Sequence, residues 1–141
     1  MAGDKLDVLF DLNILLDVLQ DRPGFYADSA RLLSLAETGS IQGWLAAHSI
    51  TTLFYLIARD KSPDQARVAI TGLLQFVKIA LTDQNTVEQA LNLPYRDFED
   101  AVQMIAALQI KAQYLVTRNV RDYSPALLAV IQPAELLAIL F

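Results

Sequence analysis

The chain reads as an α/β protein, a three-layer α/β/α sandwich whose central parallel sheet has four or five strands. Three observations predict this. Short apolar runs alternate with helix-period segments along the whole sequence, the pattern of βαβ units and a parallel sheet. The first apolar run, Val8-Leu9-Phe10, is continuous rather than alternating, as befits a strand covered on both faces. Length and composition fit a single domain spanning residues 1–141: 54% of the residues are apolar and 19% charged, which excludes disorder for the bulk of the chain.

The elements follow in order. Residues 7–11 form a strand that ends on an acid, and residues 13–20 carry Ile14, Leu15, Val18 and Leu19 at helical spacing. Asp21-Arg22-Pro23-Gly24 is a turn, residues 25–38 a second helix, and Gly39 its stop. Residues 41–46 are a second strand, and His48-Ser49-Ile50-Thr51 opens a helix to about residue 59. Ser62-Pro63 starts the next helix with proline in its first position, running to about residue 75. Residues 76–81 are the third strand, Thr82 or Asp83 caps a helix to about residue 92, and Asp97 caps another over residues 98–109. Residues 114–117 and 127–131 are the fourth and fifth strands, and residues 133–139 a closing helix.

Composition removes several classes of function. The longest apolar runs (residues 53–58, 126–131 and 136–141) have six residues, against the ~18 a membrane span needs, so no membrane association is expected. Met1-Ala2-Gly3-Asp4-Lys5 does not read as a secretory leader. There is no cysteine, which excludes disulfides and thiolate chemistry and fits a reducing cytoplasm. His48 is the single histidine, so a multi-histidine metal site is impossible. No glycine-rich phosphate loop is present. The net charge of −5 argues against passive nucleic-acid binding, which runs on clustered Lys and Arg. It leaves room for an enzyme that grips a phosphate backbone through a metal and a few arginines.

The chemistry-bearing residues stand at strand ends and helix starts. Asp11 ends the first strand, Asp97-Phe98-Glu99-Asp100 opens the helix before the fourth, and Thr117-Arg118-Asn119 follows the fourth, with Asp122 three residues on. In a parallel sheet these positions share one edge, where such folds bind ligands. Convergent carboxylates raise one another's pKa unless a cation neutralises them. Oxygen ligands without a Cys or His cluster suit Mg²⁺ or Mn²⁺, and such an ion favours hydrolysis of a phosphodiester. Taken singly, each acid is equally well explained as a helix cap or as a first-turn acid favoured by the helix dipole. Asp17 either reaches the site from its helix or faces water, and Glu99 points away from Asp100 into solvent.

With these residues in place, the sequence resembles the PIN-domain proteins, the ribonuclease fold of VapC-type toxins, over nearly the whole chain. The resemblance is carried by Val8-Leu9-Phe10-Asp11-Leu12-Asn13-Ile14-Leu15-Leu16-Asp17, by Asp97-Phe98-Glu99-Asp100-Ala101 and by Leu115-Val116-Thr117-Arg118-Asn119-Val120-Arg121-Asp122-Tyr123. It implies an acidic pocket at the C-terminal edge of the sheet that binds Mg²⁺ or Mn²⁺ and cuts RNA. Asp11 matches the family's first acid and Asp100 the acid at the start of the late helix. Asn119 falls where many members have a final Asp, Asp122 could replace it, and Asn13 matches the polar residue that holds the first acid's loop. One departure stands out. The family's usual Glu in the helix after the second strand is missing: Phe54 or Tyr55 occupies its place, and Thr51 or Thr52 is the nearest polar replacement. The loss favours one ion, held by Asp11 and Asp100 with help from Asp122, over two.

The remaining residues have competing readings. Asn13, Thr117, Arg118 and Arg121 are candidate substrate contacts, the arginines because their forks match phosphate oxygens, though each arginine could equally pair with a neighbouring acid. Arg59 and Lys61 favour a helix C-terminus, and His48 is structural or exposed. Trp44, Phe54 and Tyr55 read as core or dimer contacts rather than base-stacking platforms. The segments around Leu32-Leu33-Leu35 and residues 136–141 are too apolar for a monomer's surface, so a homodimer or an antitoxin protein is expected to cover one of them. The leading function is a metal-dependent endoribonuclease, the toxin of a toxin–antitoxin pair. The alternative is a catalytically degenerate PIN-like module that binds protein or RNA. A haloacid-dehalogenase-type phosphatase would want an Asp where Asn13 stands, and a receiver domain would want an adjacent acid pair and a late lysine.

Overall fold

Val8, Leu9 and Phe10 are completely buried, and the strand that carries them, β1 (Asp7–Phe10), is the middle of a five-stranded sheet. The computed structural model describes residues 5–141; Met1–Asp4, on which the expectation about a leader falls, lie outside the described residues. From β1 the chain runs through α1 (Leu12–Leu19), α2 (Tyr26–Glu37), β2 (Gln42–Ala46), α3 (Ala47–Asp60), α4 (Pro63–Leu73), β3 (Val77–Ala80), α5 (Gln84–Leu91) and α6 (Phe98–Gln109). It closes with β4 (Tyr114–Val116), a 3₁₀ turn (Val120–Asp122), β5 (Ala129–Ile131) and α7 (Pro133–Leu140). No described helix is long and apolar enough to cross a membrane.

The sheet order is β3-β2-β1-β4-β5 and every pairing is parallel. In register, Leu9 lies between Trp44 of β2 and Leu115 of β4. Gly43 is required beside β1, because a Cβ there would come within 2.7 Å of the Phe10 ring. The chain leaves β1 on one side to build β2 and β3, then returns to its other side for β4 and β5. The order therefore reverses between β1 and β4. In open α/β sheets the crevice beyond the strand ends at such a reversal is where ligands bind.

Alternation along the central strands feeds two cores. Val8, Phe10, Leu45 and Val116 pack on one face with Ile14, Leu32, Leu53 and Leu136 from α1, α2, α3 and α7. Leu9 and Leu115 face the other way, against Met104, Ala106 and Ala107 of α6 and against Tyr123. Each fully buried large apolar side chain contributes about 1.5–3 kcal/mol. Helix starts stand where the sequence places them: Ser62 accepts a hydrogen bond from the Gln65 amide ahead of Pro63, Asp83 and Thr86 close a capping box, and Asp97 caps α6.

Several expectations are corrected. The fifth strand is shorter than residues 127–131, because its partner β4 has only three residues to pair, Tyr114 to Val116 with Ala129 to Ile131. The 3₁₀ turn over Val120–Asp122 has no signal in the sequence pattern. Leu32 is completely buried in this chain's own core, as are nearly all of Leu136 and Leu137, so these stretches are much less exposed than their composition implies. Ile139 and Phe141 do stay exposed, with the Arg31 guanidinium lying over the Phe141 ring at 4.3 Å. Trp44 is part of the core periphery, its indole N–H donating to Asp7 Oδ1 at 2.9 Å, whereas Tyr55 is exposed.

Candidate active site

Asp11 is the residue between β1 and α1, and its extended backbone makes it the cap of α1. Its amide donates to the Val116 carbonyl of β4 at 2.9 Å, which pins the end of β1 to the neighbouring strand. Its carboxylate is held twice: Oδ1 accepts from the Asn13 amide at 3.5 Å, and Oδ2 accepts from the Thr117 hydroxyl at 2.7 Å. Thr117 is completely buried, and the same hydroxyl oxygen accepts from the Asn119 amide at 3.0 Å. One hydroxyl thus joins the strand-end loops on both sides of the sheet reversal.

Asp100 arrives from a different direction. Asp97 caps α6 by accepting from the Glu99 amide at 2.8 Å, which places Glu99 and Asp100 in the first turn. Asp100 Oδ1 accepts from the Tyr123 phenol at 3.1 Å, and the phenol in turn accepts from the Gln103 amide at 2.6 Å. Gln103 and Tyr123 are both buried, so this chain of donors is shielded from water. Burial and the charges of Asp11 and Asp100 raise the Tyr123 phenol well above its ordinary value, which keeps it a donor at any physiological pH.

Asp11, Asn13, His48, Thr52, Asp97, Glu99, Asp100, Gln103, Asn119 and Asp122 line one polar cleft of about 250 Å³. Thus the folding brings Asp11 and Asp100, 106 and 23 positions from their respective hydroxyl donors, onto the same cavity. Glu99, expected to point away into solvent, is exposed but sits on the rim. Five carboxylates line the cleft, and among the described residues no Lys or Arg does. The Asp100 carboxyl is consequently raised to about 6, chiefly by burial and then by the charges of Asp97, Asp11 and Asp122, against the opposing effect of the Tyr123 hydrogen bond. Such a cluster is oxygen-rich and short of positive charge, the donor set of a hard divalent cation. Among the described residues, no three His, Cys, Asp or Glu side chains are already gathered as a ready-made coordination sphere.

The other candidates divide. Thr52 faces the cleft; Thr51 does not line it, and both hydroxyls donate to the His48 carbonyl, at 3.3 and 2.9 Å. Asp122 and Asn119 reach the cleft from the 3₁₀ turn, and Arg121 lies exposed beside them. Asp17 neither reaches the cleft nor faces water. It is completely buried, accepts from the Ser29 hydroxyl at 3.1 Å, and lies 3.1 Å from Arg118 Nε and 3.6 Å from Arg22 Nη1. Arg118 is thereby drawn inward, its guanidinium 4.3 Å from the centre of the Phe25 ring, instead of pairing with a surface acid. Arg59 pairs with Asp60 at the end of α3. Gln103 and Tyr123 had no role assigned from the sequence. Gln103 stands one helical turn from Asp100, a spacing that could have pointed to it; nothing local points to the Tyr123 hydroxyl.

Comparison with known proteins is consistent with this arrangement. A PIN-domain family profile matches residues 7–121. No curated protein sequence matches the chain. Among solved structures, a toxin–antitoxin complex from Klebsiella pneumoniae aligns with a TM-score of 0.69 at 22% identity, covering 89% of this chain and 97% of that one. VapBC-1 from nontypeable Haemophilus influenzae aligns with a TM-score of 0.68 at 15% identity, over 92% and 99% of the two chains. Mycobacterium tuberculosis VapC20, described as a toxin that cleaves the sarcin–ricin loop, aligns with a TM-score of 0.59 at 15% identity, over 77% and 86%.

Proposed function

The chain belongs to the PIN-domain family, and from that premise we propose that it is a metal-dependent endoribonuclease, the toxin of a toxin–antitoxin pair acting on RNA in the cytoplasm. The observation that carries the reading is the meeting of Asp11 and Asp100 in one cleft that holds five carboxylates and, among the described residues, no Lys or Arg. That donor set fits Mg²⁺ or Mn²⁺, with Asp11 and Asp100 as the residues that would hold the ion. When bound, the ion supplies Lewis acidity to a phosphoryl oxygen and makes hydroxide available near neutral pH.

The chain's own residues do the rest. Thr117 fixes the Asp11 carboxylate through its hydroxyl, and Tyr123, backed by Gln103, fixes that of Asp100, so neither has to be ordered at the moment of reaction. Asn119 and Asp122 close the side of the cleft nearest β4, in the place of the family's last acid. Asn13, His48 and Thr52 also line the cleft and would meet the substrate's ribose and phosphate. Arg121 is exposed and available to phosphate, while Asp17 occupies the Arg118 guanidinium and removes it from that role in the free chain. The solved relatives that are complexes with antitoxins support an antitoxin partner, and the exposed Ile139 and Phe141 support a protein surface that covers the C-terminal helix, either a second copy or that partner.

A second reading is favoured by the aromatic pair Phe54–Tyr55 where the family has a Glu, by Asn119 in place of an Asp, and by the lack of a ready-made three-ligand sphere among the described residues. It is a PIN-like module that binds RNA or protein without cutting. The discriminating experiment is cleavage of a labelled single-stranded RNA with Mn²⁺. Asp11→Asn and Asp100→Asn should each lower the rate by more than roughly 100-fold, beyond what loss of an outer-shell partner costs, while the fold survives. Equal cleavage by both variants and the parent would end the nuclease reading.

A further inference from the structure

Beside the acidic cleft runs a second groove, of about 600 Å³, and the two share Asp97, Asp100 and Asp122. One wall is the loop ahead of α6 with Tyr95 and Arg96; the other is the 3₁₀ turn with Arg121. Both arginines are exposed, and among the described residues neither has a carboxylate within 4 Å, although three acids line the same groove. Neither therefore forms a direct ion pair with those acids. The walls are fixed relative to each other: the Tyr95 hydroxyl donates to the Pro125 carbonyl, and its ring meets the Tyr123 ring edge-on with centroids 6.1 Å apart. A wall held in this way pays little ordering entropy when a ligand binds.

Two exposed guanidinium groups, without a carboxylate partner among the described residues, across a groove that opens onto a carboxylate cluster suit an anion with several regularly spaced phosphates, whose next phosphate can reach the cluster. The geometry points to this groove as the track for the phosphodiester backbone of single-stranded nucleic acid on one side of the reacting phosphate, with Arg96 and Arg121 as the phosphate contacts. The inference rests on the nuclease reading for what lies in the acidic cleft, but the groove's own role is to bind.

The test measures binding separately from cutting. A fluorescent single-stranded RNA oligonucleotide is titrated with the 141-residue chain bearing Asp11→Asn, so that chemistry is off, at a series of KCl concentrations. Adding Arg96→Gln or Arg121→Gln should each weaken binding about tenfold and lower the slope of log K against log salt by about 0.7, the value for one phosphate contact on a single strand. Arg59→Gln, on the remote Arg59–Asp60 pair, should leave both unchanged. Unchanged slopes for Arg96→Gln and Arg121→Gln overturn the track. Lowered slopes support it whether or not the parent chain, with Asp11 intact, cleaves the same RNA. Failure to cleave counts against the nuclease alone.

Discussion

The Thr117 hydroxyl donates to Asp11 Oδ2 at 2.7 Å across 106 positions of sequence, and the same oxygen receives the Asn119 amide. This link, centred on the buried Thr117, spans the sheet reversal and sets where the first acid stands relative to the loop that carries Asn119 and Asp122. Thr117→Val keeps the shape but removes both bonds, leaving a part-buried amide and a part-buried carboxylate oxygen short of partners. The expected cost is about 1–3 kcal/mol in urea unfolding, with a fall in RNA cleavage that appears in kcat more than in KM. Thr117→Ser should restore both. A valine variant as stable and active as the parent would show that the link is incidental.

Asp100 gives the metal-free protein a pH dependence of defined sign. Its folded-state pKa is raised to about 6, above the ordinary carboxyl value, by burial first and by neighbouring acids second. The folded chain therefore binds more protons than the unfolded one between those values. The stability this contributes is complete at low pH and is lost as pH rises through about 6. With a chelator present, Asp100→Asn should flatten that part of the stability–pH curve. It should also stabilise the chain at pH 7 by on the order of 1 kcal/mol, the displacement being discounted for solvent screening of a half-exposed carboxyl. Thermal melts of both proteins from pH 4.5 to pH 7.5 measure it, and parallel curves would contradict it.

How much of this was legible beforehand follows from the range of each interaction. Val8-Leu9-Phe10 announces a doubly covered strand because burial on both faces leaves no polar position. Ser62-Pro63, Asp83 and Asp97 announce helix starts because capping is a local bond. Asp11 and Asp100 are brought together on paper by the rule that a parallel sheet collects its strand ends along one edge, and by the family resemblance, and by nothing local to either. Asp17 differs: its spacing reads as a residue that reaches the site or faces water, yet it is buried because Arg118, Arg22 and Ser29 converge on it from elsewhere in the chain. The role of the Tyr123 hydroxyl is not legible in the sequence for the same reason, since its partners lie 20 and 23 positions away.

The Asp17–Arg118 pair is open to a double-mutant cycle. Neither Asp17 Oδ1 nor Arg118 Nε makes an aligned hydrogen bond among the described residues, so charge and packing hold the pair. Removing one member of a buried pair costs roughly 3–5 kcal/mol because it strands the other. Asp17→Leu should fall toward the low end of that range, since Arg118 can swing to solvent. Asp17→Leu with Arg118→Met should recover much of the loss by replacing both charges with apolar contacts. The coupling energy from urea unfolding is the measurement; simple additivity of the two single changes would mean that the charges do not sense each other.

Cation binding offers a check that needs no substrate. Five acids line one cleft, and on the proposed reading a divalent ion held there would bind the folded state in preference to the unfolded one. Saturating Mn²⁺ at about 100 times its dissociation constant should then stabilise the chain by about 2.7 kcal/mol, and Mg²⁺ should act in the same direction. Asp11→Asn and Asp100→Asn should each abolish most of the gain, whereas Asp17→Asn, outside the cleft, should keep it. This pattern separates a site at the sheet edge from general screening of an acidic protein, because screening by KCl at matched ionic strength would stabilise all four chains alike. A Mn²⁺ response that KCl reproduces in every variant would remove the ion from the account of the cleft.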